Sequence, residues 1–93
     1  MIKSFKCQET EKIFRGEFSK KIPQSIQGRA KIKLDMLYMA TEVKDLISPP
    51  ANKFEKLSGN LVGYCSIRIN EQYRIVFKFE NNNIYDVYIT DYH

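Results

Sequence analysis

Ninety-three residues, 43% of them hydrophobic and 13% aromatic, allow one domain with a real core and exclude both a two-domain chain and a disordered polyelectrolyte. The longest uncharged stretch, residues 57–67, is too short to span a membrane, and Met1-Ile2-Lys3-Ser4-Phe5-Lys6 has no apolar signal region, so a cytoplasmic protein is expected. The net charge of +4 is uneven: residues 1–59 hold twelve Lys or Arg against seven Asp or Glu, whereas residues 60–93 hold three against four, a pattern that suits a polyanionic partner or simply solubility.

In chain order, residues 1–6 alternate weakly and read as a pairing strand. Residues 10–18 carry Ile13, Phe14 and Phe18 at helical spacing, weakened by Gly16. From Pro23 to Ala40 the signal is stronger. Ile26, Ala30, Leu34 and Leu37 form an apolar stripe opposite Gln27, Lys31 and Asp35, and Pro23 suits a first helical turn. A short helix over residues 42–47 follows and ends at Ser48-Pro49-Pro50. Residues 49–60 read as a loop, basic at Lys53 and Lys56.

The last third is β-rich. Residues 64–70, 73–80 and 84–90 are predicted strands, joined by turns at Glu71-Gln72 and Asn81-Asn82-Asn83. Alternation places Cys65, Ile67 and Ile69, then Ile75, Phe77 and Phe79, then Tyr85, Val87 and Ile89 on a face that receives the helices. The opposite face shows Ser66, Arg68 and Asn70, then Arg74, Val76 and Lys78, then Asp86 and Tyr88, and is expected to lie open. The expected fold is α+β, one domain over residues 1–93, ordered β-α-α-β-β-β, an antiparallel sheet with helices packed on one face.

The chemistry available is limited. Cys7 and Cys65 with one His cannot make a four-ligand zinc site, so neither metal nor cofactor is expected. No Gly-rich phosphate loop, nucleophile elbow or HExxH pattern is present. What remains is Arg, Lys, Tyr, carboxylates and one imidazole, a set suited to attack of an RNA 2′-OH on its own phosphate. Arg68 and Arg74, projecting from adjacent strands, can chelate a phosphate, or else pair with Glu71, Glu80 or Asp86. Asp91-Tyr92-His93 sets a carboxylate, a phenol and an imidazole side by side. Lys53 and Lys56 can contact phosphates and Glu55 can act as a base, or all three can be a solvated loop. Among the tyrosines, Tyr88 and Tyr92 are the candidates for base stacking. A Cys65–His93 pair is a further nucleophile arrangement left open.

The stretches Gly63-Tyr64-Cys65-Ser66-Ile67-Arg68-Ile69-Asn70 and Gln72-Tyr73-Arg74-Ile75-Val76-Phe77 resemble HigB toxins, a branch of the RelE/ParE superfamily. Ala40-Thr41-Glu42, Leu46, Ser48-Pro49-Pro50 and the terminal Asp91-Tyr92-His93 extend the resemblance over nearly the whole chain. It implies a type II toxin, a ribosome-dependent mRNA endonuclease that halts translation. It also implies a HigA-type antitoxin with a helix-turn-helix domain, and operator DNA bound only through the toxin–antitoxin pair. By position, the resemblance assigns Arg74, Asp91, Tyr92 and His93 to the active centre, with Arg68, Lys53 and Lys56 as phosphate contacts. Where some members have a loop histidine, this chain reads Phe54-Glu55-Lys56, so a two-histidine scheme is not available to it. The alternative within the same fold is a ParE-type toxin that inhibits DNA gyrase without cutting RNA.

Overall fold

The three β-rich runs form an antiparallel meander in the computed structural model, which describes residues 1–91. Together with a two-residue strand before them they make one sheet, β1 (Glu55–Lys56), β2 (Tyr64–Arg68), β3 (Tyr73–Glu80) and β4 (Asn83–Asp91), side by side in that order. The turns are built by asparagine. Asn81 and Asn82 adopt φ of 50° and 65° between β3 and β4, the positive values a tight hairpin turn requires. Between β2 and β3 the Asn70 side chain accepts hydrogen bonds from the backbone N–H of Gln72 (2.8 Å) and Tyr73 (2.7 Å).

Register aligns Ile67, Ile75 and Ile89 across three strands and sets Cys65 opposite Phe77. These residues face the helices as the alternation predicts. The third strand departs from it. Val76 pairs with Tyr88 and Lys78 with Tyr85, so β4 takes three steps where β3 takes two. The extra residue, Asp86, sits at φ 55°, and the bulge reverses the alternation on its far side. Ile84, fully buried, therefore takes the core place expected of Tyr85, which turns to the opposite face.

Residues 1–6 do pair, as expected, but through two isolated parallel bridges to β4, Ile2 with Ile84 and Phe5 with Val87. Ser4 also clamps the bulge: its Oγ accepts the Asp86 N–H (2.9 Å) and donates to Asp86 Oδ1 (3.2 Å).

Three helices cover the core face. α1 (Gln8–Phe14) starts earlier and stops sooner than the spacing predicts, because Gly16 at φ 83° turns the chain away. α2 (Gln24–Met39) buries Ile26, Ala30, Leu34 and Leu37, the stripe read from the sequence. α3 (Lys44–Ile47) buries Leu46, while the Asp45 carboxylate accepts the backbone N–H groups of Thr41 (3.0 Å) and Glu42 (3.1 Å) just ahead of it. Against these pack Ile67, Ile75, Phe77, Ile84 and Val87, all fully buried. Each large apolar side chain so placed contributes about 1.5–3 kcal/mol.

The opposite face is not open. Residues 49–60, expected as a plain loop, hold β1 and two single turns of 3-10 helix, Pro50–Asn52 and Gly59–Leu61, and fold across it. Ser66, Arg74 and Val76 are buried beneath this segment. Short backbone pairing of Glu55 with Ser66 and Lys56 with Cys65 fixes it in place. Among the described residues no helix is long and apolar enough to cross a membrane.

Candidate active site

Arg68 and Arg74 are direct register partners on β2 and β3 and project from the same face. With Lys53, Phe54, Glu55, Asn70 and Glu71 they line an open cleft of about 560 Å³. The period-two alternation of the strands is what brings two guanidinium groups together here. One side of the cleft is sheet; the other is the segment that leads into β1.

Arg74 is held firmly. Its Nε donates to Ser66 Oγ (2.8 Å), and its Nη2 donates to the Lys53 carbonyl oxygen. Glu55 Oε1 lies 3.4 Å from the same Nη2, in an ion pair with a carboxylate that is 46% exposed. The sequence offered Glu71, Glu80 and Asp86 as partners for the arginines. Of these, only Glu71 approaches, at 3.9 Å from Arg68 Nη2, and its side chain is 94% exposed, so that pair holds little. Arg68 itself is about one third exposed.

The Lys53 carbonyl reaches Arg74 because Lys53 adopts φ 46°, a left-handed conformation. The residue before it secures that turn. Asn52 is fully buried, its Nδ2 donates to the Leu46 carbonyl (2.9 Å), and its Oδ1 accepts from Lys33 Nζ (2.6 Å). Burial, with the Arg29 charge nearby, pushes the Lys33 ammonium below its usual value. Ser66 and Asn52 are structural supports of the cleft that the sequence reading missed. For Ser66 a signal existed, since it shares the alternation of Arg68 and sits one strand from Arg74; nothing local marks Asn52.

Other candidates lie apart from the cleft. Lys56 is exposed on β1, with its backbone paired to Cys65, and does not line the cleft. Cys65 belongs to the core cluster, and burial raises its thiol above the ordinary value despite Lys56, so it stays protonated. Tyr88 lines a separate hollow of about 360 Å³ with Leu57, Leu61, Val76, Thr90 and Asp91, and the Lys6 ammonium lies 5.4 Å from its ring centroid. Asp91 closes β4 opposite Tyr73 and accepts a hydrogen bond from Gln72 Nε2 (2.8 Å). Thr90, just before it, is the register partner of Arg74. Tyr92 and His93 lie outside the described residues.

A cleft that presents one firmly held guanidinium and a second, more exposed one beside a lysine is chemically suited to an oxyanion or phosphate. Residues 3–93 match the HigB-like toxin family, described as the RelE-like toxin of type II toxin–antitoxin system HigB. Toxin HigB-1 of Vibrio cholerae is 44% identical over 68 residues, which are 73% of this chain and 72% of that protein. Endoribonuclease HigB of Proteus vulgaris is 32% identical over 93 residues, the whole of both. Among solved structures, a chain of the heterotetrameric YoeB–YefM toxin–antitoxin complex from Staphylococcus aureus is similar with a TM-score of 0.59 and 28% identity, over 100% of this chain and 95% of that one. YafQ from Escherichia coli shares the fold, at a TM-score of 0.62 and 13% identity over 94% of this chain and 89% of its own. The chain belongs to the HigB-like family of RelE-like toxins of type II toxin–antitoxin systems.

Proposed function

We propose that this toxin is an endoribonuclease that cuts messenger RNA on the ribosome and so stops translation. The observation that carries the reading is the Arg68–Arg74 register pair at the floor of a cleft edged by Lys53. In the reaction, the 2′-OH loses its proton and its oxygen attacks the adjacent phosphorus. The bond to the 5′-oxygen breaks, that oxygen takes up a proton, and a 2′,3′-cyclic phosphate remains. Arg74, with Arg68, holds the non-bridging oxygens as charge builds on them. The incoming phosphate displaces Glu55 from Arg74, exchanging one anion for another on a guanidinium already fixed by Ser66 and the Lys53 carbonyl.

His93 exchanges the proton, Tyr92 stacks on or orients a base, and Asp91 orients its neighbours. Lys53 contacts the bound phosphate, Lys56 a flanking one outside the cleft, and Tyr88 stacks a base in its own, separate hollow. A HigA-type antitoxin with a helix-turn-helix domain neutralises the toxin in the cytoplasm, and the pair reaches operator DNA through the antitoxin. The relatives named above support the nuclease over a gyrase-directed toxin, one of them being itself called an endoribonuclease.

The test is cleavage of a defined messenger by the purified protein, with and without programmed ribosomes. Cuts that require ribosomes are expected. A protein that cuts under neither condition, and whose induction stops DNA replication before translation, overturns the proposal in favour of a gyrase-type toxin.

A further inference from the structure

The cleft does not end at Arg68. Asn70, Glu71 and Arg68 also line a second hollow of about 660 Å³, whose far wall is α2, at Arg29, Ile32 and Lys33. A third hollow, of about 400 Å³, continues past Arg29 to Ser25. One groove therefore runs from Arg74, over the β2–β3 turn, onto α2.

On its α2 wall the charge is one-sided. Arg29 and Lys33 stand four residues apart on one helix, a spacing at which like charges repel and carboxylates are normally interposed. Here none is. The nearest carboxylate on α2, Asp35, is engaged by Lys31 (2.7 Å), and Lys33 finds only the neutral Asn52 amide (2.6 Å). Arg29 Nη1 lies 3.5 Å from the Ile69 carbonyl and, among the described residues, makes no ion pair. Between the two cations Ile32 is 63% exposed, an apolar step on the groove wall. Two cations left without carboxylates, with an apolar residue between them, suit a strand that carries phosphates outside and flat faces inside.

We propose that this groove is a second RNA subsite, in which Arg29 and Lys33 hold the backbone flanking the phosphate bound at Arg68 and Arg74 and a base or sugar packs on Ile32. The proposal rests on the nuclease reading above and adds a direction to it: the strand crosses the β2–β3 turn toward α2. A partner protein with an acidic segment is the other polyanion such a groove can take. Continuity with the arginine cleft favours RNA, because both hollows share Arg68, Asn70 and Glu71.

The experiment is a salt titration of binding to the purified toxin. Its probes are a single-stranded RNA of about twelve nucleotides, long enough to span both hollows, and a dinucleotide that reaches only the arginine cleft. For Arg29→Gln, the log–log salt slope for the long RNA should fall by about 0.7, one phosphate contact, with about threefold weaker binding and an unchanged dinucleotide affinity. Glu71→Gln removes an exposed carboxylate that both hollows share and should tighten the long RNA about threefold more than it tightens the dinucleotide, so the proposal does not depend on one variant. If the wild type binds the long RNA with a slope that neither substitution moves, the subsite is wrong and the nuclease reading stands. If the wild type shows no salt-dependent RNA binding at all, the subsite falls, while the nuclease reading is decided by cleavage on programmed ribosomes. If polyglutamate binds with the same Arg29 dependence and RNA does not, the groove belongs to an acidic protein.

Discussion

Along β2 and β3, odd-numbered residues face the helices and even-numbered ones face the covering segment, and the two sides are held by different physics. The odd side, with Ile67, Ile75 and Phe77, is dry and apolar, and its stability scales with the area removed from water. The even side buries Ser66 and Arg74, and a buried guanidinium is tolerable only when its donors are satisfied. Ser66, the Lys53 carbonyl and Glu55 do this on one edge of Arg74. A few ångströms of sheet thus separate a side that makes the fold from a side that spends stability on an oriented charge. Substitutions on the two sides should fail differently: by unfolding on one, by loss of chemistry on the other.

Four substitutions break or sharpen that contrast. The largest effect is expected from His93→Gln, which removes the imidazole assigned the proton transfer. Single-turnover cleavage of ribosome-bound RNA should fall about 10²–10⁴-fold with an unchanged melting temperature, and full-rate cleavage would remove His93 from the chemistry. Next is Phe77→Ala on the dry face. Denaturant titration should show a loss of about 3–5 kcal/mol, with the remaining folded protein binding RNA as before. Arg74→Lys keeps the charge and loses the planar fork, so cleavage should drop about 10²-fold while thermal stability changes much less than for Phe77→Ala. A full-rate lysine variant would mean that point charge alone suffices.

The smallest effect sits away from both faces, at Asp45. Its carboxyl is held below the ordinary 3.8 by the backbone N–H groups of Thr41 and then Glu42. A group whose folded value is depressed stabilises the fold above its ordinary value and loses that contribution as pH falls through the folded one. Asp45→Asn should therefore flatten the acid limb of a stability–pH curve below pH 3.8 and leave cleavage at neutral pH untouched. An acid limb identical to wild type would show that the contact does not contribute.

How much of this was legible follows from the range of the interactions. The α2 stripe and the inward side chains of β2 and β3 depend on periods of 3.6 and 2, which short windows record. Arg68 beside Arg74 follows from the same alternation plus one turn. Tyr85 was misplaced because a single residue, Asp86, adds itself to β4, and the cause is remote: the Ser4 hydroxyl, eighty-two positions earlier, binds its backbone and its carboxylate. The covering segment failed as a sequence signal for another reason. β1 is two charged residues, Glu55 and Lys56, recruited by backbone pairing to an exposed edge, so no apolar pattern announces it. Asn52 was silent because its value lies in three partners, Lys33, Met36 and Leu46, brought to it by the packing of α2 and α3.

The ribbon of residues 1–6 along β4 has a consequence in time. Ile2 precedes Ile84, the partner that receives it, by 82 positions, so the strand waits through most of that length of chain before it can pair. Until β4 emerges, Phe5 and Ser4 have no strand to join, Asp86 has no clamp, and the row that carries Thr90 beside Arg74 does not exist. Pairings this distant in sequence close late. The surface proposed to act on messenger RNA is therefore complete only once β4 has emerged and the ribbon of residues 1–6 has closed along it.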